Sequence, residues 1–299
     1  MTRVIGNTAT VRLCKIEKRF NLGCKLYAKC EHMNPGGSIK DRVAKAILED
    51  AKRRGQLREG YTVAEATSGN MGIALAMIGA KEGYRVKITM PSSASAERIE
   101  LIRAYGGEVI TTDATLGMRG AILEVEKMSL EHPDVFVPDQ FKNRIGVLCH
   151  RATTAREICS DMECNINYFI SGVGTGATLS GVGGYLKEKY GTRVIAIEPK
   201  ELSVLSGECP NSHGIEGIGA GFIPPLLGEN DIDGIARISY SEAVEMVREL
   251  ARSEGILAGI STGANIAASI RIGRETTGSV VTIIADRGER YFSRGIFYT

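Results

Sequence analysis

The chain has no run of about 20 apolar residues that could cross a bilayer, and its start, Met1-Thr2-Arg3-Val4-Ile5-Gly6-Asn7, lacks the basic-then-apolar order of an export signal. A cytoplasmic protein is the expectation. Charge of one sign is also missing. With 37 Lys and Arg against 35 Asp and Glu, the net +2 gives no electrostatic footprint for nucleic acid or for an anionic membrane surface. The seven cysteines (Cys14, Cys24, Cys30, Cys149, Cys159, Cys164, Cys209) are odd in number, scattered and free of any C-x-x-C pair, which suits reduced thiols better than a disulfide framework. The four histidines (His32, His132, His150, His213) form no H-E-x-x-H and lie at no metal-ligand spacing from a cysteine pair. No metal is expected, and each is read as a surface or core histidine. No linker, charge run or repeat marks a domain boundary.

What is present is ordinary for a folded chain. The 299 residues, 43% apolar and 24% charged, can bury a substantial core as one large or two smaller domains. Short β-branched runs alternate with longer amphipathic ones. Periodicity predicts strands over 25–29, 62–65, 85–90, 108–112, 168–171, 193–198, 236–240 and 279–285. It predicts a helix over 40–54, with Val43, Ala46, Ile47 and Ala51 on one face and Gly55 ending it. This is an α/β pattern of mostly parallel strands with helices on both faces, which places binding residues in the turns after strands.

Four such turns carry chemistry. In Asn34-Pro35-Gly36-Gly37-Ser38-Ile39-Lys40-Asp41-Arg42, proline and two glycines make a tight turn and Ser38 is a candidate N-cap. Lys40 then falls in the first helical turn, where the helix dipole disfavours a cation and pushes an ammonium toward the neutral amine that attacks carbonyls. A capped surface helix with an incidental lysine remains the alternative. In Thr67-Ser68-Gly69-Asn70-Met71-Gly72, hydroxyls, an amide and backbone N–H groups at a helix start suit a carboxylate or other oxyanion, or simply a capped turn.

Gly172-Val173-Gly174-Thr175-Gly176-Ala177-Thr178 follows a strand and opens a helix, a phosphate site that needs no basic side chain. It also fits a dinucleotide fingerprint with Glu198 at the end of the next strand, so an NAD-binding oxidoreductase is a rival reading; no Walker lysine follows. Gly259-Ile260-Ser261-Thr262-Gly263 matches the G-x-S-x-G nucleophile elbow. No histidine occurs after His213 to complete a hydrolase triad, which leaves Ser261 as a helix cap or a ligand contact.

Taken together, these turns resemble the β-family of pyridoxal-phosphate enzymes, specifically the cysteine synthases (O-acetylserine sulfhydrylases) and their cystathionine β-synthase relatives. The resemblance includes Ile5-Gly6-Asn7-Thr8, the four motifs, Asp139-Gln140-Phe141, Gly217-Ile218-Gly219-Ala220-Gly221-Phe222 and Asp286-Arg287-Gly288-Glu289-Arg290-Tyr291, in that family's order. It implies an α/β, two-domain, tryptophan-synthase-β-like fold (fold type II). A smaller movable domain would span 34–143 and a larger one 1–33 with 144–299, the cofactor lying in the cleft. It implies pyridoxal 5'-phosphate as cofactor, held covalently by Lys40, which would also be the catalytic base. Asn70 would bond the ring oxygen, Gly174, Thr175, Gly176, Ala177 and Thr178 the phosphate, and Ser261 would face the pyridine nitrogen. Thr67, Ser68, Met71 and Gln140 fall at the substrate-carboxylate positions.

The activity implied is β-replacement: O-acetyl-L-serine and sulfide give L-cysteine and acetate through an aminoacrylate, in ping-pong order. A homodimer is implied, and a complex with serine acetyltransferase is a further partner the family admits. Some residues depart from the pattern. Met71 stands where most cysteine synthases have threonine and resembles the β-cyanoalanine synthases, so cysteine lyase or cyanoalanine synthase chemistry, with sulfide released, is the alternative. O-phosphoserine is another alternative donor. Ala177 replaces a usual glycine, which requires a negative φ there. The segment after Gln140, from Asn143 to Arg151, lacks the family's Asn-Pro and the tyrosine after its histidine, and Ala9 replaces a usual proline.

Overall fold

The computed structural model describes residues 2–163, 165–208, 211–228 and 231–298; Met1, Cys164, Cys209 and Thr299 of the sequence reading lie outside them. In chain order the elements begin β1 (Thr10–Arg12), α1 (Cys14–Arg19), β2 (Lys25–Cys30), α2 (Lys40–Arg53), β3 (Thr62–Ala66), α3 (Asn70–Glu82) and β4 (Arg85–Pro91). There follow α4 (Ala96–Ala104), β5 (Glu108–Thr112), α5 (Gly117–Glu131), β6 (Val135–Phe136), α6 (Ile145–Ala152), α7 (Thr154–Asp161) and β7 (Tyr168–Gly172). The last are α8 (Gly184–Tyr190), β8 (Arg193–Pro199), β9 (Gly234–Ile238), α9 (Tyr240–Glu254), α10 (Ile260–Gly273) and β10 (Ser279–Ile284).

The chain divides into two compact units, Met1–Ile5 with Asn34–Gly146, and Gly6–Met33 with Val147–Thr299. Residues 1–5 and 144–146, expected with the larger unit, group with the smaller one. The reason is packing, since Ile5 belongs to its apolar cluster and Ile145 lies against it.

The smaller unit is a four-stranded parallel sheet in the order β5-β4-β3-β6. Strand alternation sorts its two faces. Val63 and Ile88 meet Val43, Ile47, Ile73 and Leu75 of α2 and α3 on one side, while Ala64 and Ala66 meet Ala121 and Val125 of α5 on the other. The amphipathic face of α2 is wider than predicted, because Ala44 and Leu48 are buried and Ala46 only partly so. Gly55, at φ 71°, takes the left-handed backbone just past its end.

The larger unit is a six-stranded sheet, β1-β2-β10-β7-β8-β9, parallel except for β1. Every residue of β10 is buried, as befits a central parallel strand covered on both faces. Helices α1, α9 and α10 supply Ile16, Val247, Leu250, Ile266 and Ile270 to the main apolar cluster.

Two sequence expectations shift, and two short strands escape the sequence reading. The strand predicted over 236–240 is β9, ending at Ile238. Ser239 opens a capping box there, its hydroxyl accepting the Glu242 N–H while the Glu242 carboxylate accepts the Ser239 N–H at 2.9 Å, so Tyr240 is already helical. The strands β1 and β6, of three and two residues, are too short to show a period. The helix opened by the glycine loop runs from Ala177 through a π-helical stretch, Leu179–Gly183, into α8.

Sheet order explains where the motifs fall. In the smaller unit the chain moves from β3 outward to β4 and β5, then returns to place β6 on the other side of β3. In the larger unit it moves from β7 to β8 and β9, then returns to place β10 on the other side of β7. The C-terminal ends of β3 and β7 are therefore the two topological switch points, where neighbouring connections leave in opposite directions and open a crevice. The Thr67–Gly72 and Gly172–Thr178 turns start there.

Candidate active site

In the smaller unit, the turn before α2 is built by its own short bonds. The Gly37 N–H donates to the Asn34 carbonyl at 2.7 Å, and the Gly36 N–H to the Asp41 carboxylate at 2.6 Å. A Cβ on Gly36 would sit 2.6 Å from Asp41 Oδ1, so the turn needs glycine there. Ser38 is one residue too early to be the N-cap. Ile39 holds that place, and the Ser38 hydroxyl instead accepts the Lys40 N–H at 3.2 Å. Lys40 is the first residue of α2. Burial pushes its amine down to about 8, against the upward pull of Glu65. The direction matches the sequence argument, but desolvation is the leading cause.

At the switch point of this sheet, the Thr67 hydroxyl accepts the Gly69 N–H at 3.2 Å, and Arg98 donates to the Ser68 carbonyl at 3.3 Å. Asn70 begins α3, partly exposed beside Ser68. Met71 is only 1% exposed, and Gly72 has room for no Cβ beyond tight contacts with Ile88 and Ile102. Gln140 lies in the segment after β6, buried, and its N–H donates to Glu65 Oε2 at 3.3 Å. The preceding Asp139 holds a left-handed φ of 48°.

In the larger unit, β10 pairs with β7 only through Val280–Tyr168 and Val281–Phe169, and beyond them the buried side chain of Asn265 bridges the two strands. Its Oδ1 accepts the Gly172 N–H at 2.9 Å and its Nδ2 donates to the Ile283 carbonyl at 2.7 Å. This amide satisfies groups the sheet has left unpaired at its fork. The glycine loop follows at once. A Cβ on Gly174 would meet the Gly217 carbonyl at 2.6 Å, and Gly176 has φ 84°, so neither position accepts a side chain without strain. Ala177 is not among the residues of positive φ, which meets the condition for its replacing glycine.

His150, read from sequence as one of four ordinary histidines, is 1% exposed and bonds in two directions, Nδ1 to the Thr154 hydroxyl at 3.0 Å and Nε2 to the Thr178 hydroxyl at 3.3 Å. It braces the loop from behind. The only cue in sequence was the spacing of His150 and Thr154. Glu198 does not serve a dinucleotide site. Its carboxylate accepts the Leu205 N–H at 2.7 Å and the Ser206 hydroxyl, which ties it to the segment after β8.

Ser261 sits buried in the first turn of α10, and a Cβ on Gly217, at φ 97°, would lie 3.6 Å from its Oγ. Gly217 therefore keeps the space before this hydroxyl open. The two glycines of the G-x-S-x-G match have packing reasons. A Cβ on Gly259 would fall 2.1 Å from Asp286 Oδ1, and one on Gly263 would fall 1.9 Å from the Ala243 carbonyl oxygen. Among the described residues no group of three or more His, Cys, Asp or Glu is placed to hold a metal, no helix is long and apolar enough to cross a membrane, and the five cysteines carry unbridged thiols.

A loop of small residues and hydroxyls at a helix start, with no lysine, suits a phosphate monoester, and a buried neutral hydroxyl suits an uncharged ring nitrogen. With a lysine whose amine is driven toward neutrality, this donor set fits pyridoxal phosphate. The family described as pyridoxal-phosphate dependent enzyme matches residues 1–286. The chain is 42% identical to a cysteine synthase of Staphylococcus aureus over 301 residues, 99% of this chain and 96% of that one. Among solved structures, cysteine synthase from Entamoeba histolytica superposes with a TM-score of 0.95 at 39% identity, covering 100% of this chain and 90% of that one. A hydrogen sulfide-producing enzyme from Fusobacterium nucleatum gives 0.93 at 40% identity, over 97% of this chain and 98% of that one. Full-length matches of this kind, on a scaffold whose two switch points carry the expected turns, mean that the chain belongs to the pyridoxal-phosphate dependent enzymes and has the type II fold of the cysteine synthases.

Proposed function

We propose that the protein is a cysteine synthase, converting O-acetyl-L-serine and sulfide to L-cysteine and acetate. The observation that carries the reading is Lys40, an amine at the first turn of α2 pushed down to about 8, in a chain alike to cysteine synthases over its whole length. As a neutral amine, Lys40 would hold the cofactor covalently and, when free of it, would take the α-proton of the substrate. The bound cofactor supplies an electron sink for the bond broken at Cα.

The residues that would hold it are those of the turns described above. Gly174, Thr175, Gly176, Ala177 and Thr178 would bind the phosphate through N–H groups and hydroxyls, Asn70 would bond the ring oxygen, and Ser261 would serve the pyridine nitrogen. Thr67, Ser68 and Gln140 would receive the substrate carboxylate, at a site where Met71 stands in place of a hydroxyl. Closure of these loops on that carboxylate would exclude water, the competing nucleophile. A cytoplasmic homodimer acting on a small amino acid belongs to the same reading, on the strength of the resemblance, as does the capacity to bind serine acetyltransferase. The test is product formation by the purified protein from O-acetylserine and sulfide. Cysteine appearing with acetate supports the reading, and none appearing with cofactor bound refutes it.

Ser261→Ala tests the pyridine contact. A hydroxyl does not hold the ring protonated as an aspartate would, so it weakens the sink and favours elimination over transamination. The variant is expected to retain cofactor and to alter the course of the reaction. Loss of cofactor with unchanged chemistry in the remaining holoenzyme would show a purely structural serine.

A second reading rests on Met71. Its buried thioether stands where most cysteine synthases have a hydroxyl, which points to cysteine as first substrate and sulfide as product. The similar Fusobacterium enzyme is described as hydrogen sulfide-producing. Met71→Thr is expected to shift the kcat/KM ratio toward O-acetylserine over cysteine by about tenfold, the worth of one well-placed polar contact. An unchanged ratio would make Met71 irrelevant to substrate choice.

A further inference from the structure

Between β8 and β9 the run Gly217-Ile218-Gly219-Ala220-Gly221-Phe222 forms a turn whose three glycines have positive φ, at 97°, 70° and 83°. Ile215 and Ile218 pin it to the main apolar cluster of the larger unit. The turn meets the glycine loop at two points. The Gly219 N–H donates to the Val173 carbonyl at 2.8 Å, and the Gly217 carbonyl is the one that a Cβ on Gly174 would meet at 2.6 Å. His213, read from sequence as an ordinary histidine, holds the other side. Its Nδ1 accepts the Ile215 N–H at 3.2 Å, and its Nε2 lies 2.9 Å from the Gly219 carbonyl oxygen. A nitrogen that accepts carries no proton and a carbonyl has none to give, so the half-buried ring is neutral, with its proton on Nε2 donated to Gly219. A Cβ on Gly219 would lie 2.8 Å from that Nε2, and only glycine allows so close an approach.

We propose that His213 is a positioning residue for the phosphate loop, acting through Gly219. This rests on the reading that Gly174 to Thr178 hold the cofactor phosphate. Both backbone groups of Gly219 are engaged, the N–H with Val173 at the start of the loop and the carbonyl with His213. Glycine rotates freely about φ and ψ, so the turn by itself does not fix where that N–H points, and the two hydrogen bonds do. The imidazole is rigid, with one nitrogen accepting inside the turn and the other donating across it, which sets residues 215 and 219 at a constant separation. The far end of the loop has its own brace in His150, bonded to the Thr178 hydroxyl at 3.3 Å. His213 serves the near end. With both ends held, the N–H groups and hydroxyls of the loop stay aimed at one point before any ligand arrives, and affinity gains from that preorganisation.

The two ring nitrogens can be tested separately. An asparagine amide reaches the position of Nδ1 and a glutamine amide that of Nε2, so His213→Asn keeps the bond to Ile215 while His213→Gln keeps the bond to Gly219. Each full chain is titrated with pyridoxal phosphate and, separately, with pyridoxal, both read by visible absorbance, and amide exchange is followed at Gly219. His213→Asn is expected to bind pyridoxal phosphate about tenfold more weakly and to exchange the Gly219 amide about tenfold faster, the worth of one hydrogen bond. His213→Gln is expected to match the parent chain in both. Pyridoxal has no phosphate for the loop to hold and is expected to bind all three chains alike.

Parent-like binding in His213→Asn overturns the proposal and leaves His213 a residue of its own turn. Equal impairment of His213→Gln overturns it too, as does an equal loss of affinity for pyridoxal and pyridoxal phosphate, since either marks a general loosening of the unit. A parent chain that takes up no pyridoxal phosphate would instead refute the functional reading, an outcome distinct from any difference between the variants.

Discussion

Lys40→Ala is expected to lower kcat/KM for cysteine formation by about 10⁴-fold or more, because on the proposed reading one amine performs two tasks, covalent attachment and proton transfer at Cα. Added primary amines should restore a small part of the rate by supplying the base from solution. The substitution should not harm the fold. A lysine whose folded value of about 8 lies below its ordinary 10.5 disfavours folding wherever it is charged. That cost is fully present below about 8 and fades as pH rises toward 10.5. The cofactor-free variant is therefore expected to unfold at a higher denaturant concentration than the parent at pH 7, with the difference shrinking by pH 10. A variant that keeps full turnover, or one that is destabilised at pH 7, would contradict the place given to Lys40.

The second large effect concerns packing. In Gly263→Ala the new methyl would lie 1.9 Å from the Ala243 carbonyl oxygen and 2.6 Å from Val247 Cγ2, at the crossing of α10 over α9. Backbone cannot move aside as a long side chain can. The cost is expected to reach about 3 kcal/mol, the upper range for overpacking, measured as a fall in the denaturant midpoint. The helix that shifts to relieve the clash carries Ser261, so on the proposed reading the course of the reaction should change along with stability. A loss under about 1 kcal/mol would mean that the two helices separate at little cost and that the glycine is there for another reason.

Much of the fold was legible because its signals are local. The strands over 62–65, 85–90, 108–112 and 193–198 are apolar β-branched runs bounded by turn residues, and the structure extends each by one residue at most. Strand 236–240 was misplaced because a capping box at Ser239 outweighs the β propensity of the residues around it. The turns at Lys40, Thr67 and Gly174 were legible for a similar reason. Glycines, hydroxyls and an amide at a strand-to-helix junction are demanded by the backbone geometry of that junction.

Glu65, Asn265 and His150 were not legible as working residues. A glutamate in a strand, an asparagine in a helix and a histidine before two threonines are unremarkable in sequence. Each acquires meaning only from a partner far along the chain, Gln140, Gly172 with Ile283, and Thr178.

The α/β class and the family could be read from the sequence, which also singled out the turns proposed to hold a phosphate, a ring and a carboxylate, since these follow from short-range pattern and from motifs within single turns. Only packing decided the strand order that makes β3 and β7 switch points and the burial that pushes the Lys40 amine down and the Glu65 carboxyl up. It also decided why Gly259 and Gly263 must be glycine. Those features depend on which distant segments share a surface, and desolvation and steric exclusion act only after the chain has packed.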